Sequence, residues 1–160
     1  MIKVIGQIKE DKSKVTKDKI YDFLKKIDHV YCQLSPGHQL FKLINSDKIS
    51  QGTIIENKER ASFQTVSHKY TVEIDTPEKI VLVSPNSKVE IGRFFSMSVH
   101  VSVSFFIEEQ GQYISLKCCL DLKFRNAIQE IVARLAGTSI IWQLHLKEEL
   151  ENGRNIFLGK

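Results

Sequence analysis

The sequence predicts an α+β fold in which one long C-terminal helix covers an antiparallel sheet. From Gly52 onward, apolar and polar residues alternate over about seventy residues, which is typical of antiparallel strands with one solvated face. Between Asn126 and Leu150 the spacing changes to that of an amphipathic helix, with apolar residues at Ile128, Ile131, Val132, Leu135 and Trp142. Only this helix has an apolar stripe long enough to cover the sheet.

The residues before Gly52 predict one strand and two short helices. Lys3 to Ile8 alternate as a strand does, and Thr16 is a suitable N-cap for a helix that extends to Ile27. Ser35-Pro36-Gly37 would begin the second helix, because serine caps helices well and proline is tolerated at the first helical position. The apolar residues of that helix would be Leu40, Phe41 and Ile44.

Turn signals divide the alternating region into five or six strands. The predicted turns are Asn57-Lys58-Glu59, Asp75-Thr76-Pro77, Pro85-Asn86 and Gln110-Gly111. The two longest strands, 96–107 and 113–124, alternate most regularly. This pattern indicates a meander followed by the final helix.

Length and composition restrict the class of protein. With 160 residues, 42% of them hydrophobic and 26% charged, the chain is expected to form a single globular domain over residues 1–160. The net charge of +4 comes from lysines that alternate with acids, without an arginine-rich stripe, so no nucleic-acid partner is expected. We expect a cytoplasmic location and no membrane insertion, because no apolar run approaches about 20 residues and the three cysteines lack CxxC spacing.

His145 and Glu149 are the most informative pair in the sequence. At about 100° per residue, Glu149 lies roughly 20° and His145 roughly 60° from Trp142 around the final helix. A carboxylate on a buried face costs several kcal/mol unless it is paired, hydrogen-bonded, bound to a metal or solvated. A His and a Glu four residues apart can bind one metal ion. Alternatively, both side chains pass the edge of the sheet and pair in solvent with each other or with Lys147.

The order of elements resembles the helix-grip fold of the START, Bet v 1 and polyketide-cyclase (SRPBCC) superfamily over nearly the whole chain. This resemblance implies a curved antiparallel sheet that wraps the long C-terminal helix, with two short helices after the first strand, and encloses an apolar cavity. It implies little about chemistry, since the same fold serves carriers, cyclases and hydrolases.

Three segments are similar to those of the phloretin and diacetylphloroglucinol hydrolases, which are zinc-dependent carbon–carbon hydrolases of this fold. The segments are Ser35-Pro36-Gly37-His38, Gly52-Thr-Ile-Ile-Glu56 and His145-Leu-Lys-Glu-Glu149. The resemblance implies a metal site formed by His38, Glu56, His145 and Glu149. Zinc suits two imidazoles and two carboxylates, although Mn²⁺ or Fe²⁺ could use the same donors. If the register turns Glu56 outward, Glu59 is the alternative ligand.

Several other residues are candidates for a ligand site. His68 and Tyr70 share one strand face and could orient or protonate a ligand, although His68 could equally be a hydrogen-bonded histidine of the sheet. Trp142, Phe105 and Leu135 are expected to line the ligand cavity.

Two functions remain open at this point, and both involve a small hydrophobic or aromatic ligand. One is a metal-dependent hydrolase that acts on a small aromatic or polyketide-like compound. The other is a non-catalytic carrier of lipids or other hydrophobic ligands. The sequence leaves the oligomeric state open.

Overall fold

The computed structural model describes residues 1–160 and contains seven strands and four helices. The strands are β1 (Ile2–Asp11), β2 (His38–Leu43), β3 (Ile54–Ala61), β4 (Gln64–Thr76), β5 (Lys79–Ile91), β6 (Phe95–Gln110) and β7 (Tyr113–Phe124). The helices are α1 (Lys17–Lys25), α2 (Ile27–Leu34), α3 (Ala127–Leu135) and α4 (Thr138–Leu158).

All seven strands form one antiparallel sheet in the order β1-β7-β6-β5-β4-β3-β2. Strands β2 to β7 are therefore a meander, and β1 pairs with β7. The predicted order of one strand, two short helices, a meander and a long final helix is confirmed, but the second short helix and the final helix lie at other residues than predicted. No helix combines the length and the hydrophobicity needed to cross a lipid bilayer.

The core lies between the sheet and α4, which packs against β1 and α2. The buried residues of α4 follow one face of the helix: Thr138, Trp142, His145, Leu146, Leu150, Gly153 and Phe157. Trp142, Leu146, Leu150 and Phe157 belong to a single cluster of 28 buried hydrophobic residues that includes side chains from every strand except β2. One face of α4 thus carries both the apolar core and the two ionisable residues that the sequence singles out.

The segment after Ser35 is a strand, so the predicted second helix is wrong. The second helix is α2, which occupies residues beyond the predicted end of the first helix, and Ser35 ends it. Leu40 and Phe41 pair with β3 in the ladder instead of packing as one face of a helix. The backbone hydrogen bonds of the sheet edge outweigh the local cap signal of Ser35-Pro36-Gly37.

The final helix is interrupted at Gly137, whose φ of +68° ends α3 and starts α4 in a new register. Ile128, Ile131 and Leu135 are consequently 74%, 55% and 84% exposed. The prediction that they share an inward stripe with Trp142 is wrong, because the 3.6-residue period does not continue through the left-handed glycine.

Two of the four predicted turns lie inside strands. Asn57-Lys58-Glu59 belongs to β3, and Pro85-Asn86 forms a bulge in β5, where the register with β6 shifts between Ser84 and Ser87. The turn between β3 and β4 is at Ser62, which has a φ of +56° without a glycine to signal it. The turns near Pro77 and Gly111 occur as predicted.

Candidate functional site

Four ionisable side chains from three elements converge between the sheet and α4. His38 begins β2, Glu59 lies on β3, and His145 and Glu149 project from α4. One donor atom of each lies within 4.8 Å of those of the other three. We call these four residues the His/Glu cluster. His38 and Glu59 face each other as partners in the β2–β3 ladder, whereas the α4 residues share a face through their i, i+4 spacing.

The predicted ligand Glu56 is not part of this cluster. Glu56 is exposed, whereas Ile55 and Asn57 are buried on the opposite face of β3. Because side chains alternate along a strand, Glu59 shares the inward face of Ile55 and Asn57, and Glu56 does not. The assignment of Glu56 is therefore corrected to Glu59, the alternative that the sequence left open. His38, His145 and Glu149 are brought together as expected.

Both cluster histidines direct Nε2 at the carboxylates. His38 Nδ1 lies 2.6 Å from the backbone carbonyl oxygen of Tyr31, and its Nε2 contacts Glu149. His145 Nδ1 lies 3.5 Å from the Ser35 hydroxyl, and its Nε2 lies 3.4 Å from Glu149 and 3.7 Å from Glu59. Neither carboxylate has the geometry of a hydrogen bond to His145, so this buried Nε2 has no hydrogen-bond partner.

Glu59 is held in place by two further side chains. The Tyr31 hydroxyl lies 3.0 Å from one carboxylate oxygen, and His68 Nε2 lies 3.2 Å from the other. His68 Nδ1 is in turn 2.7 Å from the hydroxyl of buried Ser87. Tyr31 also accepts a 2.8 Å hydrogen bond from the Asn57 amide. These contacts fix the position of the carboxylate from the sheet and from α2.

The cluster perturbs the protonation of its members. Burial alone would raise the pKa of Glu59, but the adjacent imidazoles of His145 and His68 and their charge hold this pKa far below its ordinary value. Burial would lower the pKa values of His38 and His145. The Glu149 carboxylate nevertheless raises the pKa of His38, and Glu59 together with Glu149 raises that of His145. The folded protein therefore favours an ionised Glu59 beside protonated His38 and His145 when nothing else is bound.

An apolar cavity of about 110 Å³ opens beside the cluster. Of its 24 lining residues, 19 are hydrophobic, and its ionisable members other than tyrosine and cysteine are Glu59, His145 and Glu149. The cavity thus has an apolar body and one strongly polar end. Burial and the nearby Glu59 raise the pKa of its wall residue Tyr70 well above the ordinary value, so that this phenol keeps its proton.

The other predicted site residues differ in their relation to this cavity. Trp142, Phe105 and Tyr70 line it, and the Trp142 indole N–H donates a 2.9 Å hydrogen bond to buried Gln64. His68 stacks on Tyr70 but is not a wall residue. Leu135 lies outside, since it is 84% exposed on α3, and its assignment as a cavity residue is wrong.

Sequence reasoning missed Tyr31, Ser35 and Asn57 as parts of the site. Tyr31 and Ser35 fix the two imidazoles through Nδ1, and Asn57 fixes Tyr31. Asn57 lies two residues after Ile55, so strand alternation would place both on the same face. The predicted turn at Asn57-Lys58-Glu59 prevented this interpretation. Tyr31 had no such signal, because its role depends on a helix that the sequence did not predict.

Comparisons with known proteins identify relatives by structure alone. No protein-family model matches the sequence, and no curated protein matches it. The fold is similar to that of TTHA0849 from Thermus thermophilus, with a TM-score of 0.74, 11% identity and coverage of 98% of this chain and 97% of the other. A START superfamily protein from Mycobacterium smegmatis matches with a TM-score of 0.63, 16% identity and coverage of 96% and 97%.

A plant protein shares the same architecture. Ginseng major latex-like protein 151 from Panax ginseng matches with a TM-score of 0.54 at 10% identity, over 92% of this chain and 99% of the other. At these identities the likeness concerns the fold and not the chemistry. The seven-stranded antiparallel sheet, the two short helices after β1 and the long α4 together give this chain the helix-grip fold of START and Bet v 1-like proteins.

Proposed function

We propose that this protein binds a small, largely apolar ligand in the cavity and holds one polar group of that ligand at the His/Glu cluster. The observation that carries this proposal is the uneven lining of the cavity, with 19 hydrophobic residues of 24 and the buried charges gathered at one end. Ligand sites commonly combine an apolar wall with a few convergent polar groups that fix orientation. This arrangement favours a ligand with a compact ring and one oxygen-bearing end.

The size of the cavity limits the first ligands to test. A cavity of about 110 Å³ accepts a group of roughly the size of a benzene ring, since an engineered dry cavity of about 150 Å³ binds benzene in another protein. The protonated phenol of Tyr70 and the indole of Trp142 supply aromatic surface along the wall. A one-ring phenol such as 4-methylphenol therefore matches both the wall and the polar end.

Binding of 4-methylphenol, measured by isothermal titration calorimetry, tests the proposal with a matched pair of variants. Val103 lines the cavity, and its neighbour Ser102 faces the opposite side of β6. We expect one site in the wild-type protein, at least about tenfold weaker binding in Val103→Phe, and little change in Ser102→Phe, because only the first substitution fills the cavity. Equal binding by both variants, with circular dichroism showing both folded, would contradict a ligand site in the cavity.

A second candidate function is that of a metal-dependent hydrolase, and the observation that favours it is the donor geometry of the cluster. Two imidazole nitrogens and two carboxylates converge within 4.8 Å, and each imidazole is oriented through Nδ1 by a neighbouring oxygen. Metal-binding histidines are commonly fixed in this way. The unpartnered Nε2 of His145 also suits a cation that would accept its lone pair. The residues present therefore fit Zn²⁺, with Mn²⁺ or Fe²⁺ as the other ions suited to these donors.

In such an enzyme the chain itself would bind and orient the substrate. A bound Zn²⁺ supplies a Lewis acid for a carbonyl or phenol oxygen and lowers the pKa of bound water. The apolar wall would hold an aromatic ring and exclude bulk water, while Asn57 and Tyr31 would hydrogen-bond its oxygen substituents. Tyr70 would act as a hydrogen-bond donor through its neutral phenol, because burial and the nearby Glu59 raise its pKa.

Metal analysis of protein purified without a histidine tag tests this second function. We expect close to one equivalent of a transition metal and slow hydrolysis of a small acylated phenol that stops when a chelator removes the ion. A content below about a tenth of an equivalent, in protein that also fails to take up added Zn²⁺, would contradict it. The ligand-binding proposal would then remain, because the apolar cavity does not depend on a metal.

A further inference from the structure

Several of the most exposed large apolar side chains lie on two neighbouring turns at one end of the sheet and at the adjacent end of α3. Phe94 is 92% exposed, Phe95 56% and Phe63 46%, and Leu135 at the end of α3 is 84% exposed. We call Phe63, Phe94, Phe95 and Leu135 the tip patch. Single exposed apolar residues are ordinary, but several large ones gathered on neighbouring segments indicate an interaction surface.

Backbone and side-chain hydrogen bonds join the segments that carry the tip patch. The Gly92 N–H donates to the Phe63 carbonyl oxygen at 2.9 Å, which links the β5–β6 turn to the β3–β4 turn. The Gln64 amide donates to the Ala136 carbonyl oxygen at 3.1 Å, which links the second turn to the α3–α4 junction beside Leu135. The four apolar side chains therefore belong to neighbouring segments held together in the fold.

The charge around the tip patch is positive and uncompensated. Arg93 precedes Phe94, and the Arg60 side chain turns toward the β3–β4 turn, where its Nε donates to the Ser62 carbonyl oxygen at 2.8 Å. Neither arginine forms an ion pair. The nearest acid along β5, the half-buried Glu90, is already paired with Lys88 at 2.6 Å. The complementary partner is thus an anionic surface that also accepts apolar side chains.

The tip patch is separate from the cavity. None of its four residues lines the cavity, and Gln64 and Trp142 lie between the turns and the His/Glu cluster. Its role is therefore independent of the ligand-binding proposal, and either can fail without the other.

We propose that the tip patch attaches the protein to the surface of an anionic phospholipid bilayer. Phe94 and Leu135 would enter the headgroup region, and Arg60 and Arg93 would contact lipid phosphates. Attachment at this depth combines burial of apolar area with attraction to anionic lipid and requires no spanning helix. A second copy of the chain fits the patch less well, because a two-fold contact would bring its unpaired arginines close to one another.

Co-sedimentation with vesicles tests this proposal, using a matched pair of double variants. The test variant is Arg93→Ala/Phe94→Ser. The control is Ile44→Ser/Lys48→Ala, which makes the same kind of change to exposed residues at the opposite end of β3, where the Ile44 N–H bonds to Ile54. We expect wild-type and control proteins to bind vesicles of equal parts phosphatidylglycerol and phosphatidylcholine, and salt to weaken that binding.

The test variant should bind these vesicles at least about tenfold more weakly, since one basic residue alone accounts for roughly a fivefold change near an anionic membrane. Equal loss in test and control variants, or no binding of the wild type, would overturn the proposal. So would a wild-type dimer in analytical ultracentrifugation that the test variant loses, because the patch would then join two copies. Binding to duplex DNA but not to the vesicles would also overturn it.

Discussion

A side chain at Gly37 would collide with the backbone of Arg60, because its Cβ would lie 1.9 Å from the Arg60 carbonyl oxygen. The Arg60 N–H donates a 2.8 Å hydrogen bond to the Gly37 carbonyl oxygen, so the two backbones are held at this close approach. Residues 37 and 60 immediately flank the ladder partners His38 and Glu59. The absence of a side chain at Gly37 thus allows the two sheet residues of the His/Glu cluster to face each other.

We predict that Gly37→Ala destabilises the protein by about 2–3 kcal/mol, because the added methyl group forces β2 away from β3. Urea denaturation followed by circular dichroism measures this change. The control is Gly111→Asn in the β6–β7 turn, where no atom lies near the new side chain and asparagine tolerates the positive φ. A Gly37→Ala protein as stable as the control would show that β2 is free to shift.

Glu59→Gln and Glu56→Gln make the same substitution on opposite faces of β3. We expect Glu59→Gln to reduce Zn²⁺ affinity by more than about tenfold and Glu56→Gln to leave it unchanged, because only Glu59 reaches the cluster. Isothermal titration of chelator-treated protein measures both affinities. Equal affinities in wild type and Glu59→Gln would exclude Glu59 as a ligand.

The hydrogen bond between Trp142 and Gln64 should contribute to stability. We predict that Gln64→Leu costs about 1–3 kcal/mol, because the buried indole N–H and the Ala136 carbonyl oxygen both lose their partner. Thermal unfolding of Gln64→Leu, Trp142→Phe and the double variant forms a complete cycle. The double variant should be more stable than the sum of the single effects predicts, and strict additivity would rule out a coupled pair.

The pH dependence of stability in metal-free protein should follow the cluster. The pKa values of His38 and His145 are raised on folding. Their contribution to stability is therefore complete below the ordinary pKa of 6.5, and it is lost as the pH rises through their pKa values in the folded protein. The pKa of Glu59 is lowered, so its contribution is present above the ordinary value of 4.5 and is lost as the pH falls through the folded value. Stability from the cluster should therefore be greatest between these two ordinary values.

Melting temperatures measured from about pH 5.5 to 8.5 in the presence of a chelator check this expectation. The decline in melting temperature with rising pH should become less steep in His38→Gln and in His145→Gln, because each variant removes one imidazole that holds a proton more tightly in the folded protein than in the unfolded chain. His100→Gln, at an exposed position on β6, is the control and should keep the wild-type slope. An unchanged slope in both cluster variants would contradict the link between the cluster and stability.

The sequence predicted the parts of the fold that depend on repeated local patterns. Period-two alternation identified β1, β4, β6 and β7, and the helical spacing of Trp142 and Glu149 placed His145 beside the core. The sequence pattern did not predict the break at Gly137, because the apolar residues before this glycine have the same helical spacing as those after it. The strand that starts at His38 was also missed, because its ladder partners lie 12 to 21 positions further along the chain.

The sequence predicted the residues of the candidate site that share one helix, and the family resemblance added His38. The i, i+4 pair on α4 is visible in the sequence, as is His38 through the family resemblance. The choice between Glu56 and Glu59 depended on the register of β3, which a shift of one residue inverts. The contacts that orient the cluster, from Tyr31 and Ser35, join distant parts of the chain and have no local signature.

His38 and Glu59 lie far from His145 and Glu149 in the sequence. A ligand or ion bound at the polar end of the cavity would therefore hold two distant parts of the chain together. Any molecule or ion that contacts both His38 and His145 joins the first strand of the meander to the last helix. Such an occupant binds only the folded chain, and its binding free energy therefore adds to the free energy of unfolding of the whole protein. A search for the natural ligand can accordingly start from compounds that raise the melting temperature.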